Sequence, residues 1–80
     1  MDDTTLRERI NRLAHEEETL YRDAGDGSLA PAELDRLHVI RLELDQSWDL
    51  LRQRQALRAA GKDPELARAR PIAVVEAYEQ

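Results

Sequence analysis

Residues 31–60 read PAELDRLHVIRLELDQSWDLLRQRQALRAA, a stretch that no glycine and no internal proline interrupts. Pro31 suits the first position of a helix, where its missing N–H leaves nothing unpaired, and Glu33 places an acid at the positive end of the helix dipole, although Ala30 is a weak cap. The stretch therefore predicts one long helix over about 31–60, stopped by Gly61. Its stripe at helical spacing reads Leu34, Leu37, Arg41, Leu44, Trp48, Leu51 and Gln55. Val39, Ile40, Leu42, Leu50 and Leu57 fall off that stripe and widen the apolar surface beyond what one neighbouring helix can cover.

Upstream, Thr5-Leu6-Arg7-Glu8 has the form of a capping box, and Leu6, Ile10, Leu13, Leu20 and Ala24 follow at helical spacing until Gly25-Asp26-Gly27-Ser28 breaks the pattern. A first helix over about 5–24 results, with Glu17 in a slot expected to be apolar. The short turn between the helices requires antiparallel packing. Starting from Leu20 opposite Leu34, the expected layers pair Glu17 with Leu37, Leu13 with Arg41, Ile10 with Leu44 and Leu6 with Trp48, so that everything after Leu51 overhangs the first helix. Glu17 and Arg41, each replacing a hydrophobe in its own stripe and lying in adjacent layers, form a candidate structural ion pair. Trp48 is the candidate packing anchor.

Beyond Gly61, Asp63-Pro64 reads as a cap and a first-position proline for a short turn through Leu66 and Ala67, which Arg70-Pro71 ends. Ile72, Val75 and Tyr78 recur at helical spacing in the last segment, which is expected to dock over the overhang. The organisation is thus a hairpin over 1–61 and a docking tail over 62–80.

Composition agrees with an all-α class. Of 80 residues, 12 are Leu and 11 are Ala, with no Phe and few β-branched residues, which disfavours a sandwich or barrel. Two helices meet along one line and enclose little core, so the expected architecture is an antiparallel helical hairpin that dimerises into a four-helix bundle. Cysteine is absent, which excludes disulfides, thiolate zinc sites and a cysteine nucleophile. No apolar run approaches membrane-spanning length, so neither a signal peptide nor a membrane partner is expected and the location is read as cytoplasmic.

The net charge of −5 is unevenly placed: residues 1–51 carry −7 and residues 52–70 carry +4. Arg52, Arg54 and Arg58 form the candidate patch for a protein partner or an anion. Cations are favoured at a helix C-terminus in any protein, and without interleaved aromatics the patch does not point to nucleic acid. His15-Glu16-Glu17-Glu18 and the Asp35/His38 pair have spacings that metals use, but His15 lies opposite its apolar stripe, so no metal or cofactor is expected. There is no Gly-rich phosphate loop, nucleophile set or paired-acid arrangement, and no enzyme is expected.

Leu44-Asp45-Gln46-Ser47-Trp48-Asp49-Leu50-Leu51-Arg52-Gln53-Arg54, followed by Gly61-Lys62-Asp63-Pro64, Arg70-Pro71 and Val74-Val75-Glu76-Ala77-Tyr78, resembles a family of short actinobacterial proteins of unknown function. The resemblance covers nearly the whole chain and implies a small cytoplasmic helical protein, with no activity, ligand or catalytic residue attached. A second resemblance is to actinobacterial anti-sigma factors, whose hairpins hold a cyclic dinucleotide through a Glu-x3-Ser-x2-Arg-x3-Gln-x3-Asp motif. Glu43 and Ser47 match its first two positions, and Leu50 stands where the motif has Arg. The functional expectation is a non-enzymatic interaction or regulatory module acting as a homodimer with an unidentified protein partner. The alternative is a regulator that binds a phosphate-bearing small molecule or cyclic nucleotide through Arg52, Arg54 and Arg58.

Overall fold

The computed structural model describes residues 1–25 and 28–71. Helix α1 spans Asp3–Asp23, helix α2 spans Pro31–Ala59, and a single 3-10 turn covers Pro64–Leu66; the described residues contain no strand. At 1.5 Å per residue the helices are about 32 and 44 Å long. Both end on glycine in the left-handed region, Gly25 at φ 65° and Gly61 at φ 71°. At the second of these, Lys62 N donates to the Leu57 carbonyl at 2.8 Å and Gly61 N to Arg58 at 3.1 Å, closing α2 in a Schellman motif.

The first helix starts earlier than the capping-box pattern predicts. Asp2 is the cap, its carboxylate accepting from Thr5 N at 2.8 Å, so the Thr5 and Glu8 pattern lies inside the helix. A charged acceptor at the positive end of the dipole favours this start. In α2 the missing side-chain acceptor at Ala30 is partly replaced by Glu33, which reaches back to accept from Ala30 N at 2.9 Å.

The hairpin packs antiparallel, but α2 is turned by about 50°, half of one residue step, from the expected stripe, so that Leu37, Leu44 and Leu51 stay on the inward side and their neighbours change. Its buried line is Leu37, Ile40, Ser47, Leu51 and Arg54, with Leu44 partly buried, whereas Leu34 is 51% and Trp48 43% exposed. Ile40, Ser47 and Arg54 thus take the inward line expected of Arg41, Trp48 and Gln55. Every inward polar group on the new line is satisfied: Ser47 Oγ donates to the Glu43 carbonyl at 2.7 Å, and Arg54 is bonded to carboxylates. Trp48 is therefore not a core anchor.

The register also moves by about one turn. Leu6 and Ile10 pack with Leu51, and Leu44 and Leu50 cover that cluster. Asp3 reaches both Arg54 and Arg58, so the expected long overhang after Leu51 shrinks to the last turn of α2.

The chain after Gly61 folds back along α2. Gln53 Nε2 donates to the Arg68 carbonyl at 2.7 Å, Arg68 N returns a bond to Gln53 Oε1 at 3.3 Å, and Gln46 Nε2 donates to the Arg70 carbonyl at 2.9 Å. Rising numbers in this segment meet falling numbers in α2, so the two run antiparallel. Gln46 and Gln53 each precede an inward residue by one position, which places them about 100° around the helix from the α1 contact. Leu50 and Leu57, expected to seek another copy, are partly buried here within one chain. Ile72, Val75 and Tyr78 of the expected docking tail lie outside the described residues.

Leu51→Ala should cost about 3 kcal/mol in a chemical-denaturation experiment, the usual range for a buried leucine, whereas Trp48→Ala should cost about 1 kcal/mol or less. The reverse ranking would restore Trp48 to the core.

Candidate functional site

Three neighbouring lines on α2, each about 100° from the next, carry different chemistry. The middle line faces α1 and ends in Arg54, whose side chain is only 7% exposed. Its Nε donates to Asp3 Oδ1 at 2.6 Å, and its NH1 donates to Glu65 Oε1 at 3.0 Å and to the Pro64 carbonyl at 3.4 Å. Arg58 completes the group, donating to Asp3 Oδ2 at 2.6 Å. Hydrogen bonds from Arg54, then from Arg58, hold the Asp3 carboxyl below the usual carboxylate range, and Arg54 does the same for Glu65. Asp3 in turn, with help from Glu65, holds the Arg54 guanidinium more firmly charged.

The expected Arg52, Arg54 and Arg58 patch is thus not displayed as a cluster. Arg54 points inward and Arg58 is tied to α1, leaving Arg52 exposed at the surface. A pattern of positive charge along the sequence could not show that carboxylates 51 and 11 residues away from Arg54 would take it up. Asp3, Gln46, Asp49, Gln53 and Glu65 are the functional-looking residues that the sequence reading missed. Their only local signal is Asp49 and Gln53 one turn apart, where Gln53 Nε2 donates to Asp49 Oδ2 at 2.9 Å.

The second line carries Gln46 and Gln53 and receives the returning segment. Asp49 lies beside it, 7% exposed, with Arg70 Nε 3.4 Å from its Oδ2. A buried carboxylate is here balanced by a guanidinium and a side-chain amide.

The third line holds Leu34, Arg41 and Trp48 at seven-residue spacing. Arg41 Nε lies 3.5 Å from Glu17 Oε2, so the two expected partners do meet, but their side chains are 55% and 30% exposed. Arg41 also donates to the Tyr21 hydroxyl, and its guanidinium carbon lies 5.7 Å from the Tyr21 ring centroid. Tyr21 is itself 45% exposed. On the opposite flank Arg36 grips Glu16 with two bonds of 2.5 and 2.8 Å, which hold the Glu16 carboxyl below its usual range.

No group of three or more His, Asp or Glu residues suited to a metal occurs among the described residues, and His15 and His38 are exposed. Ser47, matched to the cyclic-dinucleotide motif, is 3% exposed and spends its hydroxyl on its own helix.

A family model described as "Protein of unknown function (DUF2630)" matches residues 2–80. The chain belongs to the DUF2630 family. Uncharacterized proteins of Mycobacterium tuberculosis and Mycobacterium bovis are each 46% identical to it over 70 residues, covering 86% of this chain and 80% of theirs. No solved structure matches. These relatives are actinobacterial, as the resemblance of residues 44–54 and 61–78 implies. For this DUF2630 chain, among the described residues, no helix is long and apolar enough to cross a membrane.

Because Asp3 and Glu65 titrate lower when folded than when unfolded, their contribution is complete above about pH 4 and is lost as pH falls through their folded values. Urea midpoints should therefore drop on acidification below about pH 4. Arg54→Met should lower the midpoint at neutral pH and flatten its acid dependence; an unchanged acid slope in that variant would detach the carboxylates from Arg54. A double-mutant cycle on Glu17 and Arg41 should return a coupling below about 1 kcal/mol, as for exposed pairs. A larger coupling would mean that the pair is desolvated in solution.

Proposed function

We propose that the chain is a non-enzymatic helical interaction module that recognises a second copy of itself through the flank formed by Tyr21, Leu34, Arg41 and Trp48. The observation that carries this reading is the exposure of the single tryptophan, 43% open to solvent, on the same helical line as Leu34 and Arg41. Tryptophan and arginine are the residues most enriched where binding energy concentrates, and the Arg41 side chain is already steadied by Glu17 and Tyr21. A chain of this size gains by covering such a surface, because α1 covers only one side of α2. Two hairpins joined along these flanks would make the four-helix bundle, with the contact on the Trp48 line in place of Leu42, Leu50 and Leu57. The rival reading, a phosphate-bearing ligand gripped by Arg52, Arg54 and Arg58, would first have to displace Asp3 from two guanidiniums.

Sedimentation at micromolar concentration should give twice the chain mass of 9.2 kDa. Emission from Trp48 should shift to shorter wavelength as concentration rises into that range, and Trp48→Asp should yield a folded monomer. A monomer with concentration-independent, water-exposed emission removes self-association.

A further inference from the structure

The last turns of α2 and the chain that follows them leave an open groove of about 320 Å³. Ala56, Leu57, Ala60 and Leu66 form its apolar wall, and Lys62 and Arg70 bring positive charge to its edge. The volume lies at the lower end of the range for small-molecule sites, and among the described residues that line it none is a carboxylate. Leu66 is 59% exposed, the highest value among the exposed large hydrophobic residues that are described, although the 3-10 turn that carries it is capped by Asp63 and tied to Arg54. The turn thus holds an apolar side chain beside the groove.

Lys62 is placed with similar care. Its backbone N–H closes the Schellman motif at the end of α2, so its Cα is fixed while its side chain makes no hydrogen bond or ion pair among the described residues. Lys62 stands just past the negative end of the α2 dipole, a position that favours a cation. Arg70, held at the far edge, lies against Asp49, and the remaining wall residue Gln53 is fixed by its clamp on Arg68.

We propose that this groove binds a small amphipathic anion, a short acyl or aryl group with one carboxylate or phosphate head, its apolar body against Leu57 and Leu66 and its head on Lys62, while Arg70 stays on Asp49. The site lies on the side of α2 that receives the returning segment, so it stands independently of the Trp48 flank. Binding there would join α2 to residues 62–70 and so stabilise the returning segment against the helix.

The test is a titration of the isotope-labelled full chain, followed by amide NMR, with octanoate, octyl phosphate and neutral octanol as probes. Both anions should give saturable shifts confined to residues around 53–70, and octanol should bind about tenfold more weakly, the loss expected for one charged hydrogen bond. Lys62→Gln should weaken the anions by a similar factor and leave octanol unchanged. Leu66→Ser, at an exposed position that does not threaten folding, should weaken all three probes. Tighter binding of octyl phosphate assigns a phosphate head and tighter binding of octanoate a carboxylate head. Equal binding of octanol, insensitivity to Lys62→Gln, or shifts centred on Trp48 would overturn the proposal.

Discussion

A guanidinium that has left water must be surrounded by acceptors, and the Arg54 side chain meets that demand by drawing three separate parts of the chain together. Asp3 brings the start of α1, while Glu65 and the Pro64 carbonyl bring the 3-10 turn. Desolvation offsets much of the attraction in such a group, so its chief effect is to set register: a shift of α1 by one turn would strand Arg54 without Asp3. The packing of Leu6 and Ile10 on Leu51 is the apolar layer next to this charged one.

The same constraint explains why α2 can be apolar on several sides and still belong to so small a protein. Ile40, Ser47 and Arg54 face α1; Gln46 and Gln53, one position back, face the returning segment. The glutamine amides bond the backbone of Arg68 and Arg70, so an irregular segment docks without a strand partner and these two carbonyls remain satisfied. Leu50 packs on the cluster of Leu6, Ile10 and Leu51, and Leu57 lines the groove beside residues 62–70. Leu34, Arg41 and Trp48, one position forward, are left facing solvent and carry the proposed pairing surface, while the anion groove opens at the far end of the returning segment.

Membership of the DUF2630 family attaches no chemistry to these surfaces, so their reading rests on physical features alone. An arginine cluster becomes a ligand site only when its charges are unspent, and here Arg54 and Arg58 are spent inside the fold. Lys62, which the charge count alone does not distinguish from its neighbours, is the cation at the end of α2 that faces an apolar groove.

Much of the architecture is local and was legible in the sequence. Pro31 and Gly61 delimit α2, Gly25 closes α1, and Asp63-Pro64 begins a short turn, because caps, proline and left-handed glycine act within a few residues. The meeting of Glu17 with Arg41 was also legible, as two breaks in two apolar stripes. The rotation of α2 was not. Judged by hydrophobicity, the Trp48 line and the Ser47 line are close competitors, since each carries polar residues, and the choice turns on whether those residues find partners. Ser47 finds one within its own helix, but Arg54 finds its partners at Asp3 and Glu65, far apart in the chain. Local signals in the sequence, Pro31, Gly61 and the uninterrupted helix formers between them, therefore determined that α2 forms and where it ends; only the tertiary structure decided which face it buries, because the free energy of burying Arg54 depends on carboxylates that the folded chain alone brings beside it.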